Sequence, residues 1–119
     1  MITEAFDVVV LNYHRPQNLI QKILPFFLTI EKCLRIIISH GREETCFDFQ
    51  NNKVFHRHDW GRINETWGVA RRFLAAEESC VSKIVLFVDD DTLPSVECVE
   101  TLIHKCAESP LLLLSLIHI

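Results

Sequence analysis

Asp89 and Asp91 stand at i and i+2, directly behind residues 84–88, an apolar run with the look of a buried strand. Alternate residues of an extended chain share a side, so the two carboxylates can hold one divalent cation together with water and phosphate oxygens. Hard oxygen donors select magnesium or manganese, Mg2+ or Mn2+. Such an ion neutralises a diphosphate and stabilises it as it leaves. The plainer alternative is an acidic turn that caps a helix opening at Ser95. Three adjacent like charges repel without a cation, which favours the metal reading.

Other polar residues carry weaker signals. Behind an apolar run at residues 6–11, Tyr13 offers a ring face for a base and Arg15 a charge for phosphate, although each is equally an ordinary loop residue. His56, His58 and Asp59 alternate like ligands on a strand, but without a fourth ligand nearby they read as a solvated strand end. Trp60 and Trp67 read as core residues in preference to sugar-stacking platforms. Cys33, Cys46, Cys80, Cys98 and Cys106 form no CxxC pair, and an odd count suits a disulfide framework poorly. They are expected to be small, reduced core residues.

The elements that must position these groups follow from periodicity. Residues 6–11 and 34–39 are nearly continuous apolar runs, the pattern of strands buried on both faces. Between them, Pro16 can open a helix whose Leu19, Ile20, Ile23, Leu24 and Phe27 share a face, and Pro25 should kink or shorten it. Residues 53–58 suggest a short third strand. Residues 64–78 suggest a helix capped by Asn64, with Trp67, Ala70, Phe73 and Leu74 on its core face and Arg71 and Arg72 pointing elsewhere. Residues 83–88 form the clearest strand, and from Ser95 a helix carries Val96, Val99, Ile103 and Cys106 on one stripe. This alternation predicts an α/β fold, a mostly parallel sheet with flanking helices. Ligands of such sheets bind at the carboxyl ends of strands, which draws together the loops after residues 11, 39 and 88.

The 119 residues suffice for one domain, and 49% hydrophobic content suffices for its core. Sixteen acidic against twelve basic residues give a net charge of -4, which argues against nucleic acid or an anionic membrane as the main partner. Asp7, Asn12, His14 and Arg15 interrupt any leader-like apolar run, so a cytoplasmic setting is the expectation. The division expected is a domain over 1–110 and an apolar tail over 111–119, too short to span a bilayer. That tail suggests either an extra strand or a chain interrupted mid-domain.

The segment Lys83-Ile84-Val85-Leu86-Phe87-Val88-Asp89-Asp90-Asp91-Thr92-Leu93-Pro94 resembles the DxD segment of GT-A-fold glycosyltransferases. Val8-Val9-Val10-Leu11-Asn12-Tyr13-His14-Arg15-Pro16 resembles the first strand and nucleotide loop of the family 2-like members. The stretch 64–73, with Gly68 and Arg71-Arg72, is similar to the part that precedes the DxD strand there. The resemblance spans residues 6 to about 108 and implies the Rossmann-like nucleotide-binding half of a GT-A fold, an N-terminal fragment of the enzyme. It further implies a nucleotide-sugar donor, a UDP-sugar first among them, held by Asn12, Tyr13, Arg15, Arg71 and Asp89. The metal would sit on Asp89 and Asp91, and an acceptor hydroxyl would receive the sugar.

Two departures stand out. Ser39-His40-Gly41 replaces the acidic residue usual after the second strand, where His40 either substitutes for it or caps. Only 28 residues follow Asp91, so no catalytic base is assigned. The competing expectation is a non-catalytic nucleotide- or metal-binding module. A phosphatase of the haloacid dehalogenase type also pairs aspartates at i and i+2, but it calls for threonine where Leu93 stands.

Overall fold

The computed structural model describes residues 2–108 and 115–116. Five strands, β1 (Phe6–Asn12), β2 (Cys33–His40), β3 (Val54–His58), β4 (Val85–Asp89) and β5 (Ser115–Leu116), form one sheet in the order β3-β2-β1-β4-β5. Every neighbouring pair is parallel. The α/β expectation is met, with the strands as anticipated to within two residues at each end. Of the tail, Ser115–Leu116 pairs beside Phe87 and Val88, while 111–114 and 117–119 lie outside the described residues.

All seven residues of β1 are buried because helices cover both faces of the sheet, which explains the unbroken valine run in place of alternation. On one face Phe6, Val8, Val10, Ile36, Ile38 and Leu86 meet the helix after β1 and α5 (Val96–Glu108), through Leu19, Ile23, Phe27, Val99 and Ile103. On the other, Val9, Ile37 and Phe87 meet Ala75. The two clusters follow the two-residue period of the strands.

The helix after β1 runs as α1 (Pro16–Asn18), a π turn (Leu19–Ile23) and α2 (Leu24–Leu28). Pro25 neither ends nor sharply breaks it. Lacking an N–H, proline cannot close the ordinary i→i−4 bond, and the wide turn just ahead of it takes up the mismatch. Ile20 is half-buried, whereas Leu19, Ile23, Leu24 and Phe27 are fully enclosed.

The helix expected over 64–78 is corrected in three respects. It is divided into α3 (Arg62–Trp67), a 3-10 turn (Gly68–Ala70) and α4 (Arg71–Ser79). Gly68 at φ +54° breaks the helical phase, a conformation open to glycine because it has no Cβ. Asn64 lies inside α3 and Gly61 holds the cap position. The predicted core face is inverted: Trp67 and Phe73 are 45% and 46% exposed, while Arg71 and Arg72 are 2% and 8% exposed. The interruption rotates α4 so that its arginines turn to the sheet, where polar groups at the strand ends receive them. Trp67 is therefore not a core residue, and Trp60 is half-buried and stacks on His58 at 4.8 Å. Among the described residues no helix is long and apolar enough to cross a membrane.

Candidate functional site

β1 has β2 on one side and β4 on the other, so the chain moves outward through β2 and β3 and then crosses back over β1 to β4. The crevice left at such a reversal, at the carboxyl ends of the strands, is where open α/β sheets take ligands. A cleft of about 400 Å3 opens there. Leu11 and Tyr13 come from the end of β1, Asp89, Asp90 and Asp91 from the end of β4, and Asn64, Arg71 and Arg72 from the helices above.

The three aspartates have separate fates. Asp89 Oδ1 accepts a 3.1 Å charged hydrogen bond from Arg72 Nη2. Asp90 Oδ2 accepts the backbone N–H groups of Tyr13, His14 and Arg15 at 2.9, 2.8 and 3.0 Å. Asp91 is exposed and lines the cleft. Mutual repulsion is thus relieved at two of the three by the protein itself, so it is no argument for a cation. The donor set is. Asp89 and Asp91 present hard oxygens to one cleft, and among the described residues no group of three or more His, Cys, Asp or Glu could hold a metal. Two carboxylates fit Mg2+ or Mn2+ when phosphate and water complete the shell, and do not fit a closed protein cage.

Arg71 is the unusual group. Its Nε donates to Ser39 Oγ at 3.0 Å, and its Nη1 donates to Asn64 Oδ1 at 2.8 Å and to the Gly68 carbonyl at 3.1 Å. Its Nη2 is buried without a partner. Burial pushes the guanidinium below its ordinary pKa, with Asp59 the largest opposing charge. Nη2 packs against Gly41, where an added Cβ would lie 2.4 Å from it, and the guanidinium as a whole is a cation in the cleft wall, which suits an anionic ligand.

Of the other predicted ligand residues, Tyr13 lines the cleft, with the guanidinium carbons of Arg42 and Arg71 at 5.5 and 5.9 Å from its ring centroid. Asn12 and Arg15 are not on the cleft wall. Asn12 is fully buried, and its Nδ2 donates to His40 Nδ1 at 2.8 Å and to the Thr45 carbonyl at 2.9 Å. The backbone N–H of Arg15 goes to Asp90, and its side chain is exposed. Both residues shape the loop from behind.

His40 neither replaces an acidic ligand nor caps; it is enclosed beneath that loop. Burial, and then the charges of His56 and His58, push its pKa from 6.5 to about 4. With Asn12 donating to Nδ1, the proton of neutral His40 sits on Nε2 and is donated to His56 Nδ1 at 2.8 Å. His56 then donates from Nε2 to the Phe49 carbonyl at 3.0 Å. Asp59, expected in a solvated strand end, is instead 2% exposed and bound by Ser39 and Arg57. Burial pushes the Cys33 and Cys80 thiols up to about 12, which makes them inert as nucleophiles near neutrality.

Sequence reading offered Arg72 as an alternative to Arg71 at the donor, but missed the structural role of Asp90 and the contributions of Asn64 and of Asn18, whose Nδ2 donates to the carbonyls of Asp90 and Thr92. One signal was present: two adjacent arginines cannot both avoid the sheet when Ala75 of the same helix must face it. No protein-family model, curated protein or solved structure matches the chain.

Proposed function

We propose that this chain is the nucleotide-sugar-binding part of a glycosyltransferase of the GT-A type. The observation that carries the proposal is the Arg71 guanidinium, hydrogen-bonded to Ser39, Asn64 and Gly68 and to no carboxylate, in the wall of the same cleft as Asp89 and Asp91. That combination suits a diphosphate, which needs fixed positive charge on one side and a carboxylate-held cation on the other. The strand order and the placing of the cleft at its reversal support a Rossmann-like nucleotide-binding half. In the transfer, the bond between the sugar anomeric carbon and the donor phosphate oxygen breaks, a bond to the acceptor oxygen forms, and the acceptor proton leaves. Asp89 and Asp91 would hold Mg2+ or Mn2+, which would supply charge stabilisation to the departing diphosphate. Arg71 binds that diphosphate from the helix side, and Arg72 orients Asp89.

The test is thermal unfolding with uridine diphosphate, with and without Mn2+, since a ligand of the native state raises the midpoint. A rise that needs Mn2+ in the wild type and vanishes in both Asp91→Asn and Arg71→Gln is the expected result. No rise in a cooperatively melting chain overturns the proposal.

A non-catalytic nucleotide-binding module is the second reading, favoured by the Arg72–Asp89 pair, which leaves Asp91 the more open carboxylate. It requires the same midpoint rise without Mn2+ and no release of uridine diphosphate from a UDP-sugar.

A further inference from the structure

Arg71 has no carboxylate in contact among the described residues, although burying a guanidinium is costly. Its closest support is indirect. Asp59, in the loop after β3, accepts a 2.6 Å hydrogen bond at Oδ2 from Ser39 Oγ, near the end of β2. A carboxylate has only acceptors to offer, so the Ser39 hydroxyl must spend its proton on Asp59 and turn a lone pair outward. Arg71 Nε donates to that lone pair at 3.0 Å. The three side chains are 2%, 0% and 2% exposed, so water does not compete for these bonds.

We propose that Asp59 is a positioning residue for anion capture: through Ser39 it holds the Arg71 guanidinium at the cleft wall, where a phosphate-bearing ligand meets its charge. This rests on the anion-binding role given to Arg71 above. Three of the guanidinium's bonds go to Ser39, Asn64 and Gly68, so its plane is fixed there. Placing the carboxylate one hydroxyl away has a consequence that a direct ion pair would not have. The cation gains support against burial while its field toward the cleft is not cancelled by a contacting charge. Arg57 shares Asp59 Oδ2 at 3.0 Å and also pairs with Glu78, so Asp59 keeps a charge partner of its own.

The experiment titrates inorganic pyrophosphate into the full chain by calorimetry and follows the Arg71 Nε–H resonance in 15N spectra. Ser39→Ala and Asp59→Asn are each expected to weaken pyrophosphate by about tenfold, with the double variant little worse than either single one. The Nε–H signal, protected from exchange in the wild type, loses protection in both. Arg57→Gln removes the ion partner of Asp59 Oδ2 but leaves the Ser39 and Arg71 hydrogen bonds of the relay available, and is expected to lower the melting point but keep pyrophosphate affinity. Should Asp59→Asn fail to fold, Ser39→Ala carries the test, because it leaves Arg57–Asp59 intact.

Wild-type affinity in a folded Ser39→Ala, beside lost binding in Arg71→Gln, overturns the relay and leaves the arginine site standing. An Arg57→Gln defect as large as that of Ser39→Ala overturns it too, since the loss would then be general. Undiminished binding in Arg71→Gln, or none in the wild type, removes the anion-site reading and the relay with it.

Discussion

The carboxylate of Asp90 and the backbone N–H of Tyr13, 77 positions apart, meet at 2.9 Å, and the same Oδ2 takes the next two N–H groups of the loop. Successive N–H groups converging on one oxygen form an anion nest. Here the anion is the protein's own, so the loop after β1 is shaped by the strand-end loop it faces. Asp90 is thus a builder of the cleft and not one of its ligand groups. Asp90→Asn keeps an acceptor but loses the charge and is expected to cost about 1 kcal/mol. Asp90→Ala leaves the nest unfilled and should cost about 2 kcal/mol, both by urea unfolding at pH 7. No loss in either variant would show that the nest contributes nothing.

Gly41 supplies a probe of Arg71 that touches neither its charge nor its partners. A Cβ built there would lie 2.4 Å from Arg71 Nη2 and 3.0 Å from the Tyr13 ring. A guanidinium on a free side chain would simply swing aside, but this one is tethered at Nε and Nη1. Gly41→Ala is therefore expected to displace the Nη2 edge and weaken uridine diphosphate by about tenfold, a little over 1 kcal/mol. The melting point should fall by only a few degrees. Unchanged affinity would mean that the position of the guanidinium does not matter to the ligand.

The sheet was legible because strands buried on both faces leave an unmistakable mark: Val8-Val9-Val10 and Ile36-Ile37-Ile38 have no polar alternates. The cleft's place followed from the strand ends, and Asp89, Asp91, Tyr13 and Arg71 do line it. Asn12 misled because position after a strand does not say which way a side chain turns; its amide is drawn inward by His40 and Thr45. The helix over 64–78 misled for a different reason. Apolar spacing favoured Trp67 and Phe73 as the buried face, yet one glycine at positive φ resets the phase, and buried hydrogen-bond acceptors repay the arginines. Nothing in the sequence links Asp59, seen there as part of a solvated strand end, to Ser39, 20 positions away and brought beside it by the β2–β3 pairing.

Gly68 makes that phase change testable. At φ +54° and ψ −132° it occupies a region that a side chain enters only with strain. No atom lies within 4 Å of a methyl placed there, so any cost of Gly68→Ala is conformational and not a clash. The expected loss is about 1–3 kcal/mol by thermal unfolding. Val69→Ala, at a neighbour 69% exposed, should stay within about 0.5 kcal/mol. Nucleotide affinity should fall with Gly68→Ala as well, because the Gly68 carbonyl holds Arg71 Nη1. A Gly68→Ala chain as stable as the parent would mean that α3 and α4 can join without this turn.

His40 sets the acid limit of the fold. Its pKa is lowered from 6.5 to about 4, so between those values the unfolded chain binds a proton that the folded chain refuses. Stability then rises with pH wherever the unfolded state holds more protons. The contribution is fully present above about pH 6.5 and is lost progressively as pH falls toward 4. Protonation would place an N–H at Nδ1 against the Asn12 amide, which already donates there. Between pH 7 and pH 5 the loss from this group is about 2 kcal/mol. Urea unfolding at the two pH values checks it. His40→Leu should be less stable at pH 7, since it strips Asn12 and His56 of a partner, yet show a shallower decline on acidification. An undiminished slope in that variant would assign the acid sensitivity to groups other than His40.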